Sequence, residues 1–264
     1  MMNKFLNETK YLKLISLLKA LCFWMFFVLL LMAAGLLINL TLSPKWERYS
    51  YGVFGTFAAL IATTLLLKVE KKSFADYELK WQRNTMYHFF KGLFIGAFCF
   101  GIMIVLLLAF TTLTIEKTGS SFRITTVLAL WYILPMAFME ELAFRAYPFL
   151  QLNKTFGLRI TQVMVAIAFA MYHIVQGWNI QISILGPGIW AFVFGLGAVW
   201  YKGIALPTGI HIALNFSQEI LGIKGNSEHA FWILKQQNSS ALAIERTETV
   251  GIAVQVSVLL VAYF

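Results

Sequence analysis

Apolar runs of about twenty residues recur along the whole chain, and a helix needs about 20 such residues to cross the hydrocarbon core of a bilayer. They occupy Ala20–Leu42, Tyr51–Leu67, Gly92–Ile115, Thr125–Leu150, Leu158–Gln176, Ile182–Tyr201, Ala205–Leu221 and Val250–Phe264. The seventh is the most polar, and the eighth reaches the last residue after about 15 positions. Composition agrees: charged residues make up 12% of the 264, against about 25% in soluble domains. The expectation is an all-α, polytopic transmembrane bundle of about eight helices, with residues 1–264 forming a single membrane domain. The first run is too long for the apolar core of a signal peptide and is read as a retained span.

The net charge of +9 sits in clusters between the apolar runs rather than on one surface. Lys4, Lys10, Lys13 and Lys19 precede the first span, and Lys68, Lys71, Lys72, Lys80, Arg83 and Lys91 follow the second. Such placement suits cytoplasmic loops beside anionic lipid, so membrane lipid is the expected partner and nucleic acid is not. An even number of spans separates the two clusters, which puts the N-terminus in the cytoplasm and the 222–249 loop outside. Trp46, Tyr49, Tyr51, Trp131, Tyr132, Trp200 and Tyr201 lie near span ends and read as interfacial anchors. Cys22 and Cys99 lie in apolar runs, without a CxxC pair or a nearby histidine, and read as small hydrophobes.

Three places in the second half break the apolar rule. Glu140, Glu141 and Arg145 fall within six positions of the fourth segment. Each ionisable group at the bilayer centre costs on the order of 2.5–3.5 kcal/mol, so three must be paired or hydrated. Glu141 and Arg145 are spaced i,i+4 and can pair, whereas Glu140 is turned about 100° away. This leaves Glu140 short of a counter-charge and suited to act as a general base. Pro135, a turn and a half earlier, predicts a kink. His173 lies in the fifth segment, and His211 and Asn215 share one face of the seventh. Polar groups in a bundle turn inward and can converge. A carboxylate that activates water, imidazoles that orient it and an amide that holds an oxyanion are the parts of a hydrolase. GxSxG and HExxH are absent, and no cysteine lies beside a histidine, which argues against a nucleophilic serine or cysteine protease.

Glu140-Glu141-xxx-Arg145, Phe169-xxx-His173 and His211-xxx-Asn215, in that order on successive apolar segments, resemble the three motifs of the CPBP family, the CAAX proteases and bacteriocin-processing (Abi) proteins. The run Phe194-Gly195-Leu196-Gly197, followed by Lys202-Gly203-Ile204, is similar to the connection before the family's last motif. The resemblance covers about Thr125–Phe216, within an expected catalytic core of 125–221. It implies an intramembrane endopeptidase acting on a membrane-associated peptide or protein, either lipidated or bearing a leader, in a bacterial plasma membrane. In that reading Glu140 is the base, Glu141 with Arg145 its support, and His173 assists the water. His211 and Asn215 hold the oxyanion. The family has been read both as glutamate-dependent without metal and as zinc metalloproteases. The expectation is no cofactor, the alternative being zinc on Glu140, His173 and His211. Two other functions compete: a non-enzymatic bacteriocin-immunity or scaffold protein, and a proton-coupled transporter using Glu140, His173 and His211 as a relay. No inverted repeat supports transport.

Overall fold

The computed structural model describes residues 2–119, 130–224 and 230–264. Residues 125–129, at the start of the fourth expected segment and of the expected core, lie outside the described residues. So do Glu228 of the 222–249 loop and the Lys4 side chain. The chain folds as a helical bundle: α1 (Met2–Thr41), α2 (Pro44–Val69), α3 (Thr85–Phe110), α4 (Ile133–Arg145), α5 (Tyr147–Phe156), α6 (Leu158–Val175), α7 (Ile180–Ser183), α8 (Ile189–Trp200), α9 (Ala205–Ile220) and α10 (Ala241–Tyr263). Among the described residues, five stretches are long and apolar enough to cross a membrane: Lys10–Thr41, Trp46–Val69, Thr85–Phe110, Leu158–Val175 and Ile180–Trp200. The last is continuous because a π-helical turn, Ile184–Gly188, absorbs Pro187 between α7 and α8.

The bundle is apolar outside and polar within. Phe94 is 71% exposed and Val105 64%, whereas Glu141 is fully buried and Arg145 is 1% exposed. Water would reject the outer surface, and lipid matches it.

Three segments depart from the sequence expectation. The fourth is two helices: Pro148 cannot continue a helix started upstream, and the chain breaks at Ala146 (φ −87°, ψ −107°) between α4 and α5. Pro135 lies in the first turn of α4, where no intrahelical N–H is required, so it starts the helix rather than kinking it. The third apolar run ends at Phe110, and Leu113–Lys117 forms strand β1, antiparallel to β2 (Trp232–Gln236) with Ile115 opposite Leu234. The last helix begins at Ala241, nine residues before the expected Val250, under a Ser240 cap whose hydroxyl accepts from the Ala243 N–H.

Glycines bring the motif-bearing helices close. A Cβ added to Gly92 would sit 2.2 Å from the Leu206 carbonyl oxygen, and one on Gly209 would sit 2.2 Å from that of Phe89. At Gly96 it would meet the Ile210 carbonyl oxygen at 2.6 Å. Gly92 and Gly96 are one turn apart, so α3 and α9 touch backbone to backbone along a small-xxx-small seam. Gly52 does the same between α2 and α4, where a Cβ would lie 2.5 Å from the Met136 nitrogen.

A polar knot ties one end of the bundle. Glu70, just past α2, pairs with Lys19 of α1 at 2.8 Å and accepts from Tyr147 of α5 and from Tyr77. The Tyr77 hydroxyl also lies 2.8 Å from the side-chain amide of Gln151, a residue whose backbone carbonyl accepts from Ser16. Burial disfavours the Glu70 carboxylate, but Lys19 and the two tyrosines outweigh it and hold its pKa below the usual range.

Two outcomes follow. Gly92→Val pushes α9 off α3 and is expected to cost about 1–3 kcal/mol, read as a lower melting temperature of the detergent-solubilised protein. Because the folded Glu70 pKa is depressed, its contribution is complete above the ordinary glutamate value and disappears as pH falls through the folded value. Melting scans from neutral to acid pH should show a shallower loss in Glu70→Gln than in the parent; equal slopes would show that the knot is not the titrating element.

Candidate active site

The residues singled out from the sequence come from three helices that meet in the bundle. α4 supplies Glu140, Glu141 and Arg145, α6 supplies His173, and α9 supplies His211 and Asn215. One imidazole joins the two acids. His211 Nδ1 lies 2.7 Å from Glu141 Oε1, and its Nε2 lies 3.5 Å from Glu140 Oε2. A carboxylate accepts, so Nδ1 carries a proton and Nε2 is the nitrogen turned to Glu140. The i,i+1 spacing of the glutamates achieves this because adjacent helical positions point about 100° apart and so flank a ring from another helix.

Arg145 reaches Glu141 Oε2 at 3.5 Å, on the i,i+4 spacing. Its guanidinium is otherwise boxed by aromatic rings. It lies 4.1 Å from the centroid of Phe169, 4.9 Å from Phe194 and 5.9 Å from Phe144. It does not snorkel to the interface, which its place near the helix end allowed. The chain breaks after it and α5 closes over the end of α4. Ring faces supply attraction to a desolvated cation where water cannot. Phe194 also stacks on His211, with centroids 4.7 Å apart and planes at 13°. The Phe-Gly-Leu-Gly run is thus a wall of the site as well as a connection.

His173 is fixed through its backbone. Its Nδ1 is 2.8 Å from the Phe169 carbonyl oxygen, so Nδ1–H donates and Nε2 is left to accept. Phe169, Tyr172 and Trp178 pack edge-on around the ring. It lies within electrostatic reach of Glu140 and His211. Asn215 Oδ1 accepts from Lys224 Nζ at 2.8 Å.

Several neighbours of Glu140 were not recognised from the sequence. Tyr51, assigned as an interfacial anchor, turns inward. Its hydroxyl is 3.4 Å from that of Tyr172 and accepts from the Gln176 amide. Glu140 acts electrostatically on both tyrosines and on Lys224. Glu140 therefore faces His211 Nε2 and a nearby ammonium, and is not short of counter-charge as the helical spacing alone implied. Aromatic runs in a membrane protein look alike in sequence, so only the packing separates Tyr51 and Phe194 from ordinary span residues.

Toward a metal, the fit is poor as these side chains stand. Among the described residues no three His, Cys, Asp or Glu side chains form a set that could hold an ion. His211 Nδ1, which a zinc ligand set would leave to a second-shell acceptor, does have one in Glu141.

Residues 121–217 match a family model described as type II CAAX prenyl endopeptidase, Rce1-like. No curated protein matches the chain. The match spans α4 to most of α9 and so contains every residue of the three motifs. Residues 121–217, lying among long apolar helices, are thus similar to the Rce1-like CAAX prenyl endopeptidases, and the match supports an endopeptidase of that general kind set in a membrane.

Proposed function

We propose that the chain hydrolyses a peptide bond in a membrane-associated, CAAX-like peptide or protein, using water activated by Glu140 and no metal. The observation that carries the reading is the single imidazole of His211 placed between Glu140 and Glu141 in the buried heart of the Rce1-like domain.

The chemistry follows from the donors and acceptors. Glu140 accepts a proton from water as the water oxygen bonds to the scissile carbonyl carbon. His173, which presents Nε2 as an acceptor, orients that water. The carbonyl oxygen becomes an oxyanion. Two donors suit it: the Asn215 amide and, when Nε2 carries a proton, the His211 ring held between the two carboxylates. The tetrahedral intermediate collapses with rupture of the C–N bond, and the proton held by Glu140 passes to the leaving amine. Glu141 fixes the His211 ring, and Arg145 balances Glu141.

A farnesylated CAAX peptide in detergent micelles is the probe. Glu140→Gln removes the proton acceptor at constant shape and should lower cleavage by about 10²–10⁴-fold. Asn215→Ala should lower it by roughly 10²–10³-fold. Full activity of Glu140→Gln would return the chain to the immunity, scaffold or transporter class. Cleavage of the unmodified peptide at an equal rate would remove lipidation from the substrate definition.

Metal dependence is tested separately. Protein stripped with a chelator should cleave the farnesylated peptide at its original rate. Loss on chelation with recovery on added zinc would replace this reading by the zinc one, with Glu140, His173 and His211 as ligands.

A further inference from the structure

Lys224 lies four residues beyond the end of α9, at the start of the 222–249 loop. The chain turns back there. Gly222, at φ 62°, donates its N–H to the Glu219 carbonyl, and Ile223 donates to that of Gln218. This turn returns the Lys224 side chain along α9 to Asn215, where Nζ donates to Oδ1 at 2.8 Å. The ammonium is partly buried and lies within electrostatic reach of Glu140, Glu219 and Arg48. Glu219 is already engaged by Arg48 and by Tyr132, whose hydroxyl donates to it at 2.7 Å.

The two ends of a carboxamide differ chemically but barely in shape. An ammonium has three donors and no acceptor, so only Oδ1 can face it. The Asn215 N–H₂ is thereby turned away from Lys224. Asn215 shares its face of α9 with His211, one turn earlier, and that ring contacts both glutamates. An uncharged or apolar residue at 224 would leave the amide free to present either end.

Resting on the function proposed above, we infer that Lys224 is a positioning residue: it sets the orientation of the Asn215 amide so that its N–H₂, not its oxygen, meets the oxyanion. It acts through Asn215 and need not touch substrate. A flipped amide presents a lone pair to a developing negative charge, which raises the barrier without altering ground-state binding.

The test is a double-mutant cycle on the purified full chain with the farnesylated CAAX peptide, rates being normalised to the folded fraction. Lys224→Met is expected to lower kcat about 10-fold or more, short of the 10²–10³-fold loss of Asn215→Ala, with KM changed less than about twofold. Lys224→Arg, which keeps a donor-only cation, should recover most of the rate. In the Asn215→Ala background Lys224→Met should cost nothing further. An equal loss in both backgrounds would overturn the proposal, as would a raised KM at unchanged kcat. If Lys224→Met fails to accumulate, Lys224→Gln replaces it, with the same non-additivity required. Failure of the underlying reading looks different: Glu140→Gln would then remain active, whatever Lys224 does.

Discussion

A guanidinium and two carboxylates enclosed by apolar helices have no water to turn to, so each must be answered by a neighbour. That requirement organises the centre of this bundle. Arg145 and His211 are the groups set against Glu141 and Glu140, and the 2.7 Å contact of His211 with Glu141 joins α9 to α4. The cost of breaking one such pair, about 3–5 kcal/mol when a buried charge is stranded, exceeds what most single helix contacts supply. The surrounding packing follows. Phe144, Phe169 and Phe194 surround the guanidinium with ring faces, and Phe194 also covers the imidazole.

The same enclosure explains how fixed dipoles and charges do chemistry there. In a site without bulk water a hydrogen bond or charge acts through a low effective dielectric and needs no reorganisation when the reacting charge appears. Three polar side chains of the site are each held by a partner. Glu141 holds His211, the Phe169 carbonyl holds His173 and Lys224 holds Asn215. α6 brings both Tyr172 and His173 to the site while its Gln162 amide reaches the Phe192 carbonyl, so the helix is tied to α8 at its other end.

The motif residues were legible in the sequence because ionisable groups inside apolar runs are costly and stand out. Glu140, Glu141, Arg145, His173, His211 and Asn215 needed no structure to be noticed. What stayed hidden depends on turns and long-range packing. Tyr51 reads as an anchor at a span end until the bundle turns it beside Tyr172. Lys224 is one more loop cation until the Gly222 turn folds it back. The break at Ala146 was signalled by Pro148, but the hydrophobicity of Thr125–Leu150 ran straight across it. Strands β1 and β2 are five residues each, too short for alternation to show against apolar neighbours and long loops.

The glycine seam between α3 and α9 has a mechanical meaning. Where side chains interdigitate, helices can slide by swapping rotamers; where main chain rests on main chain, no soft layer remains to shear. Gly209 lies two residues before His211, so two of the six motif side chains, His211 and Asn215, are mounted on a helix held by main-chain contact. The walls on the α1 and α6 sides are built instead from side chains such as Phe27, Phe144 and Tyr172.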